Sequence, residues 1–200
     1  MKLYFRFGHK IEKNAFPLAL MLMLSGCIGS YEIRWKEQVW LHDGRFILID
    51  RYATRSRSGF PNSRRGYVLA QEIHYKPAGF LWKSANPNEV PIAFDIIGGS
   101  AYLVVNAPKS RELFCVDKPK GSYIAVFYRW TNGERQEISQ QQASVDLLAN
   151  NVTGVSQPRT TGKEGYSYLS WNEVAAATGQ PSSGPPNSLT EFFEDPWLHC

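Results

Sequence analysis

Three short turn segments separate stretches in which apolar and polar residues alternate, and this pattern constrains the fold more than any other feature of the sequence. The segments are Asp43-Gly44, Gly98-Gly99-Ser100 and Asn132-Gly133. A two-residue turn of type I′ needs positive φ at both central positions, which Gly, Asn and Asp adopt most readily. Alternation places every second side chain on one face of a strand. The sequence therefore predicts three β-hairpins.

The hairpins account for most of the predicted sheet. Their strands are residues 35–41 with 45–50, 90–97 with 101–106, and 122–130 with 134–138, and a further strand covers 66–76. Three hairpins joined by polar loops are typical of an antiparallel sheet. The predicted fold is mainly β, an antiparallel β-sandwich or a partly open barrel.

One or two short helices are expected near the C-terminus. A polar segment from Ser139 precedes an apolar stretch that ends at Asn150-Asn151, which predicts one helix. Residues 170–178 predict another, because Ser170 and Glu173 have the spacing of a capping box and Gly179 can end the helix. We expect a β-rich globular domain at residues 35–178, followed at 179–200 by a Pro/Ser-rich linker and an acidic, aromatic tail.

The N-terminal segment has the features of an export signal. A basic stretch at residues 1–14 precedes an uncharged apolar run at 15–24, which is too short to span a bilayer. Leu24-Ser25-Gly26-Cys27 follows, a Leu and two small residues before a Cys. Residues 1–27 thus resemble a bacterial lipoprotein signal with its lipobox. The rest of the chain resembles no family of known activity.

The resemblance implies a membrane anchor at Cys27. Residues 1–26 would be cleaved, the Cys27 thiol would carry a diacylglycerol, and its new amino group would be acylated. Two or more acyl chains anchor a protein stably, whereas one does not. Ile28, rather than Asp, follows the cysteine, which favours the outer membrane, facing the periplasm. Residues 27–34 would serve as a tether in the cell envelope.

Two further cysteines remain, Cys115 and Cys200. An oxidising compartment permits a disulfide between them, which would fix the C-terminal tail to the domain. The alternative is a free, buried Cys115. Neither cysteine has the close Cys or His neighbours that a zinc site requires.

Net charge argues against nucleic acid as a partner. The chain has a formal charge of +4, but residues 1–26 carry four of its 22 basic groups and one of its 18 acidic groups. The remainder has 18 basic and 17 acidic groups. Binding to phosphates along a nucleic acid needs a surplus of cations on the folded part.

An arginine-rich stretch is the most polarised part of the mature sequence. It contains no acidic residue between Asp50 and Glu72, and its arginines are Arg51, Arg55, Arg57, Arg64 and Arg65. Guanidinium groups bind phosphate and carboxylate well, so an anionic lipid or an acidic envelope protein is a candidate partner. A solvated loop explains the same composition. A third alternative is pairing with the acidic C-terminal tail.

The tail has large apolar residues, Phe192, Phe193 and Trp197. They could form a segment that binds a partner. The sequence favours the alternative, in which the tail folds back onto its own domain, because exported chains seldom leave such aromatic residues exposed.

Catalytic and metal-binding patterns are lacking. The mature sequence has three histidines, His42, His74 and His199, at spacings that form no metal-ligand motif, and it contains no nucleophile elbow and no phosphate-binding glycine loop. We expect no cofactor. The interpretation is a lipid-anchored envelope protein with a non-catalytic binding or scaffolding role. The alternative is an envelope hydrolase that acts on glycan or peptide through an unrecognised site.

Overall fold

A computed structural model of the chain describes residues 29–56, 67–106, 110–143, 147–154 and 167–200. Within these ranges, nine strands form two sheets. The strands are β1 Ser30–Trp40, β2 Phe46–Ser56, β3 Val68–Tyr75, β4 Phe80–Lys83, β5 Pro91–Ile97, β6 Ser100–Asn106, β7 Ala125–Thr131, β8 Glu134–Ile138 and β9 Ser167–Leu169. The helices are α1 Arg111–Cys115, α2 Trp171–Thr178 and α3 Leu189–Phe192, and 3₁₀ turns lie at Lys76–Ala78, Gln140–Gln142 and Pro196–Leu198.

The two sheets pack as the predicted β-sandwich. One has five strands in the order β4-β3-β2-β1-β9, and the other has four in the order β5-β6-β7-β8. Neighbouring strands are antiparallel, except that β9 pairs with β1 in parallel. The core between the sheets contains Val39, Ile49 and Trp82 from the first sheet, and Phe94 and Leu103 from the second. Each large apolar side chain buried there stabilises the fold by about 1.5–3 kcal/mol.

The turn Asn132-Gly133 has the predicted length, whereas the turn between β5 and β6 is one residue shorter than predicted, because Ser100 begins β6 and pairs with Ile97. Gly98 and Gly99 join β5 to β6, Asn132 and Gly133 join β7 to β8, and all four residues have positive φ. The turn between β1 and β2 differs. Gly44 N–H donates to Leu41 O, and Leu41 N–H donates to the carbonyl of the residue after Gly44. This is a three-residue loop in which only Gly44 has positive φ, so the glycine alone provides the left-handed conformation.

The outer face of the four-stranded sheet is covered by the C-terminal part of the chain. Leu147, Leu189 and Phe193 pack there against Val104 and Phe127. Leu189 N–H donates to Leu147 O at 2.7 Å, which holds two covering segments together. The residues assigned to a linker and tail therefore contribute to a second core. β1 in turn begins at Ser30, within the stretch assigned to a tether.

The two helix predictions have different outcomes. Residues 171–178 form α2, with the Ser170 and Glu173 capping box and a left-handed Gly179 at its end. The prediction of a helix from Ser139 is wrong. Among the described residues of this stretch, 139–143 and 147–151, the 3₁₀ turn Gln140–Gln142 forms, capped by Ser139, and no α-helix does. Residues 147–154 form no helix. Asn150 N–H instead donates to the carbonyl of Ile92, in β5, at 2.7 Å. Bonds to a distant strand thus replace the bonds of a helix.

Candidate functional site

The predicted lipidation site and most of the arginine-rich stretch lie outside the described residues. Cys27 is among these, as are Arg57, Arg64 and Arg65. Arg51 and Arg55 belong to β2 rather than to a loop, and both side chains are buried. They point to the same face of the strand because side chains alternate with a period of two. The prediction that Arg51 binds an anion at the surface is therefore wrong, since its guanidinium has no contact with solvent.

Arg51 instead forms a buried ion pair with Glu37. Both side chains are fully buried, and Arg51 Nη1 lies 3.3 Å from Glu37 Oε2. Arg51 also donates to the carbonyl oxygens of Thr153 and Gly154, at 3.0 and 3.1 Å, and its guanidinium lies over the Trp35 ring. Burial lowers the pKa of Arg51, and the Glu37 carboxylate opposes that change. The pair joins β1 and β2 to the segment that contains Thr153.

Glu37 is the centre of this polar network. Its Oε2 accepts hydrogen bonds from Trp35 Nε1 at 2.9 Å and from the Thr153 hydroxyl at 2.6 Å. Its Oε1 accepts from the Thr153 backbone N–H. Arg51 Nη2 lies 3.4 Å from Gln71 Oε1, which extends the network to β3. Because both charged groups are sealed from solvent, the arrangement suits a structural role and offers no surface to a ligand.

The aromatic tail folds back, as the sequence favoured. Phe193 is 2% exposed and stacks on Tyr123, with ring centroids 4.0 Å apart and planes 7° apart. Phe192 packs at the edge of the same core. Trp197 is different, since 77% of it is exposed and its contact is the Arg111 guanidinium, 5.7 Å from the ring. Of the three residues proposed for partner binding, Phe193 is buried, Phe192 is partly buried, and Trp197 is mostly exposed.

Cys115 and Cys200 form a disulfide, with Cα atoms 5.3 Å apart. The bond joins α1 to the last residue of the chain, 85 positions away. Backbone hydrogen bonds support the same junction, because Ile124 N–H donates to Leu198 O and Cys200 N–H donates to Ser122 O, each at 2.8 Å. The C-terminal segment is thus fixed to the sandwich by covalent, apolar and polar contacts.

The exposed face of the five-stranded sheet carries a ladder of charged and aromatic side chains. One row crosses four strands in register, and it contains Arg34, Tyr52, Glu72 and Lys83. Lys83 Nζ lies 2.9 Å from Glu72 Oε1 and lowers the pKa of that carboxyl, with a further contribution from His74. A shallow depression of about 190 Å³ lies over part of the ladder, lined by Arg34, Tyr52 and Glu72 among others. Sequence reasoning missed this face, although polar residues recur at every second position from Ser30 to Gln38 in β1 and from Asp50 to Ser56 in β2.

A second unforeseen contact joins the two sheets at their tight turns. Asp95 is fully buried, and its Oδ1 lies 3.0 Å from His42 Nδ1 while its Oδ2 accepts from the His42 backbone N–H at 3.0 Å. Burial raises the pKa of the Asp95 carboxyl, and the hydrogen bonds from His42 oppose that rise. The carboxylate therefore fixes the orientation of the imidazole ring.

Two findings concern membranes and metals. None of the helices in the described residues is long and apolar enough to cross a membrane. Across 29–56, 67–106, 110–143, 147–154 and 167–200, no three His, Cys, Asp or Glu side chains converge as metal ligands. Compared with known proteins, the chain matches no family model, no curated protein and no solved structure.

Proposed function

We propose that this protein is a lipid-anchored component of a bacterial envelope, with a non-catalytic binding role at the membrane surface. The acyl chains would be attached to Cys27, and the sandwich would lie outside the cytosol. The outer membrane, facing the periplasm, is the proposed location, because Ile28 follows the cysteine. The binding face would be the ladder that contains Arg34, Tyr52 and Glu72.

The observation that supports an exported location most directly is the Cys115–Cys200 disulfide. Disulfides persist in oxidising compartments and are rare in the cytosol. The sequence has three cysteines, and two of them bond to each other. Cys27, in the lipobox, therefore has no partner cysteine within the chain. This assignment of thiols agrees with acylation of Cys27.

The exposed ladder favours binding over chemistry. Its charges alternate in sign. Lys36 Nζ lies 3.1 Å from Asp50 Oδ1, and Lys83 Nζ lies 2.9 Å from Glu72 Oε1. In both pairs the lysine is exposed and the carboxylate is partly buried. Ion pairs at a surface contribute little to stability, so the lysines can exchange partners with a ligand at small cost. A shallow surface with the aromatic residue Tyr52 near its centre suits another envelope protein as partner, because aromatic side chains are enriched in protein interfaces.

Replacement of Cys27 tests the anchor. Cys27→Ser should abolish the acyl mass on the mature protein and shift it from the membrane to the soluble fraction, or leave it uncleaved. The paired control is the double variant Cys115→Ser/Cys200→Ser, which removes the disulfide but keeps the lipobox. That control should stay acylated and membrane-bound. Wild-type protein without acyl mass in the soluble fraction would refute the proposal.

The remaining arginines provide a second test of the proposed membrane role. Arg57, Arg64 and Arg65, changed together to Gln, should weaken binding of the unacylated protein to anionic vesicles, because each basic group near such a surface contributes about 1 kcal/mol. Three changes would then lower the partition coefficient by roughly a hundredfold. The control is Arg45→Gln/Arg135→Gln, at exposed positions elsewhere. Equal binding by both variants would favour the alternative interpretation, in which these arginines belong to a solvated loop with no membrane role.

A second candidate function, hydrolysis of envelope glycan or peptide, rests on the pair His42 and Asp95. A buried carboxylate that orients a histidine through Nδ1 is one part of a hydrolytic site. Such a site also requires a nucleophile at the other ring nitrogen. Turnover of peptidoglycan or peptide that His42→Gln reduces at least a hundredfold would support this function. No turnover by the wild-type protein would refute it.

A further inference from the structure

We propose that the sandwich stands on the bilayer at the pole where β1 begins, with Tyr67 and Leu69 in contact with lipid head groups. This inference rests on the proposed anchor at Cys27. It adds an orientation and a contact surface, neither of which an acylated cysteine specifies by itself.

The two poles of the sandwich differ in their connections. The turns at 41–45, 98–99 and 132–133, together with the 3₁₀ turn Lys76–Ala78, lie at one end of the strands. His42 and Asp95 contact each other across the sheets at this end. The Asn151 side-chain amide donates hydrogen bonds to Trp40 O, at the end of β1, and to Phe94 O, in β5. The strands β1 and β5 therefore run in the same direction, and the start of β1 marks the opposite pole.

The short connection to Cys27 brings that opposite pole to the membrane. Only Ile28 and Gly29 separate Cys27 from Ser30, the first residue of β1. An extended chain spans at most about 3.6 Å per residue, so Ser30 would lie within roughly 11 Å of the acylated residue. β1 has 11 residues and extends for about 33 Å at 3.3 Å per residue. The pole with the tight turns would thus be far from the anchor.

Exposed apolar side chains occur at the pole near the anchor. Tyr67 is 85% exposed and Leu69 is 44% exposed. Ser56 holds Tyr67 in place through both backbone groups, since Ser56 N–H donates to Tyr67 O and Tyr67 N–H donates to Ser56 Oγ, each at 2.9 Å. Ser56 in turn pairs with Ser30. A tyrosine with an apolar ring and a polar hydroxyl suits the boundary between head groups and acyl chains.

Charge indicates which lipids this pole would meet. Ser56 and Tyr67 both lie at this pole, and the sequence between them contains three arginines and no acidic residue. A leaflet that contains anionic phospholipid complements such a connection. We therefore commit to an anionic bilayer as the occupant, rather than to a second copy of the chain or another protein.

A fluorescent probe at either pole tests the orientation. The acylated protein is reconstituted in vesicles of phosphatidylethanolamine and phosphatidylglycerol, with an environment-sensitive dye on Tyr67→Cys or on the control Glu134→Cys. Glu134 is exposed and begins β8 beside the tight turn at 132–133. Head-group spin-labelled lipid should quench the dye at position 67 at least threefold more than the dye at 134. Leu69→Cys gives a second probe at the same pole and should be quenched like position 67.

The outcomes separate this inference from the proposed anchor. Missing acyl mass, or failure to bind vesicles, would refute the anchor itself. Intact acylation with equal quenching at positions 67 and 134 would refute the orientation and leave the anchor standing. Weak quenching at position 67 that appears only at high protein density would show that a second copy of the chain covers this surface, and would overturn the lipid contact. Strong quenching at 67 that is independent of protein density supports the inference.

Discussion

The buried pair of Glu37 and Arg51 leads to a quantitative prediction about stability. Glu37→Gln keeps the size of the side chain but removes its charge, so the Arg51 guanidinium stays buried without a counterion. One carboxylate oxygen becomes an NH₂ group that faces a hydrogen-bond donor, either Thr153 N–H or the cluster at Oε2. Removing one partner of a buried ion pair costs about 3–5 kcal/mol. That is a large share of the roughly 5–15 kcal/mol by which a folded domain is stable.

The matched control is the same substitution on the same strand at an exposed position. Glu32 pairs with Arg34 at 2.9 Å, but more than half of each side chain is exposed. Glu32→Gln should therefore change the free energy of unfolding by less than about 1 kcal/mol. Guanidinium unfolding, followed by tryptophan fluorescence and circular dichroism, measures both variants.

A double variant guards against a Glu37→Gln protein that fails to fold. Glu37→Gln/Arg51→Met removes both charges, so it should be more stable than the sum of the two single changes implies, by at least about 1 kcal/mol of coupling. If Glu37→Gln costs no more than Glu32→Gln, or if the two changes at the pair are additive, the Glu37–Arg51 contact does not hold β1 and β2 to the segment around Thr153.

Three further predictions follow from the tail, the disulfide and the buried aspartate. Phe193→Ala should cost about 3–5 kcal/mol in thermal or chemical unfolding, whereas the exposed Trp197→Ala should stay within about 0.5 kcal/mol; equal effects would contradict the fold-back packing. Cys115→Ser/Cys200→Ser should lower the free energy of unfolding by about 2–5 kcal/mol, because the bond closes a long loop in the unfolded chain; coincident unfolding curves of oxidised wild type and variant would exclude this. Burial raises the pKa of Asp95, so the folded state keeps this proton at pH values where the unfolded chain has lost it. The stability contributed by this group therefore falls as pH rises from about 4 through the raised pKa. Asp95→Asn should flatten that part of the stability profile, and an unchanged slope would show that Asp95 does not cause it.

The ladder and the buried network show why the site was harder to predict than the fold. Arg51 occurs in a basic stretch, and neighbouring residues alone suggest a solvated loop. Its actual partners include the carbonyl oxygen of Thr153, 102 positions away. The alternation in β2 does place Arg51 on the same face as Ile49, so periodicity contained a signal of burial that the local charge concealed. The row from Arg34 to Lys83 likewise needs the register of four strands.

The sequence by itself determined the elements that depend on a few adjacent residues. Gly98-Gly99 and Asn132-Gly133 form turns because their backbones tolerate positive φ, and Ser170 with Glu173 starts α2 because a capping box closes within four residues. Only the tertiary structure decided which cysteines bond, that β9 joins β1 in parallel, and that Phe193 is buried while Trp197 is exposed. The physical reason is distance along the chain. Local conformational preferences act between neighbours, whereas burial, strand register and ion pairing depend on residues that approach each other only after the two sheets pack.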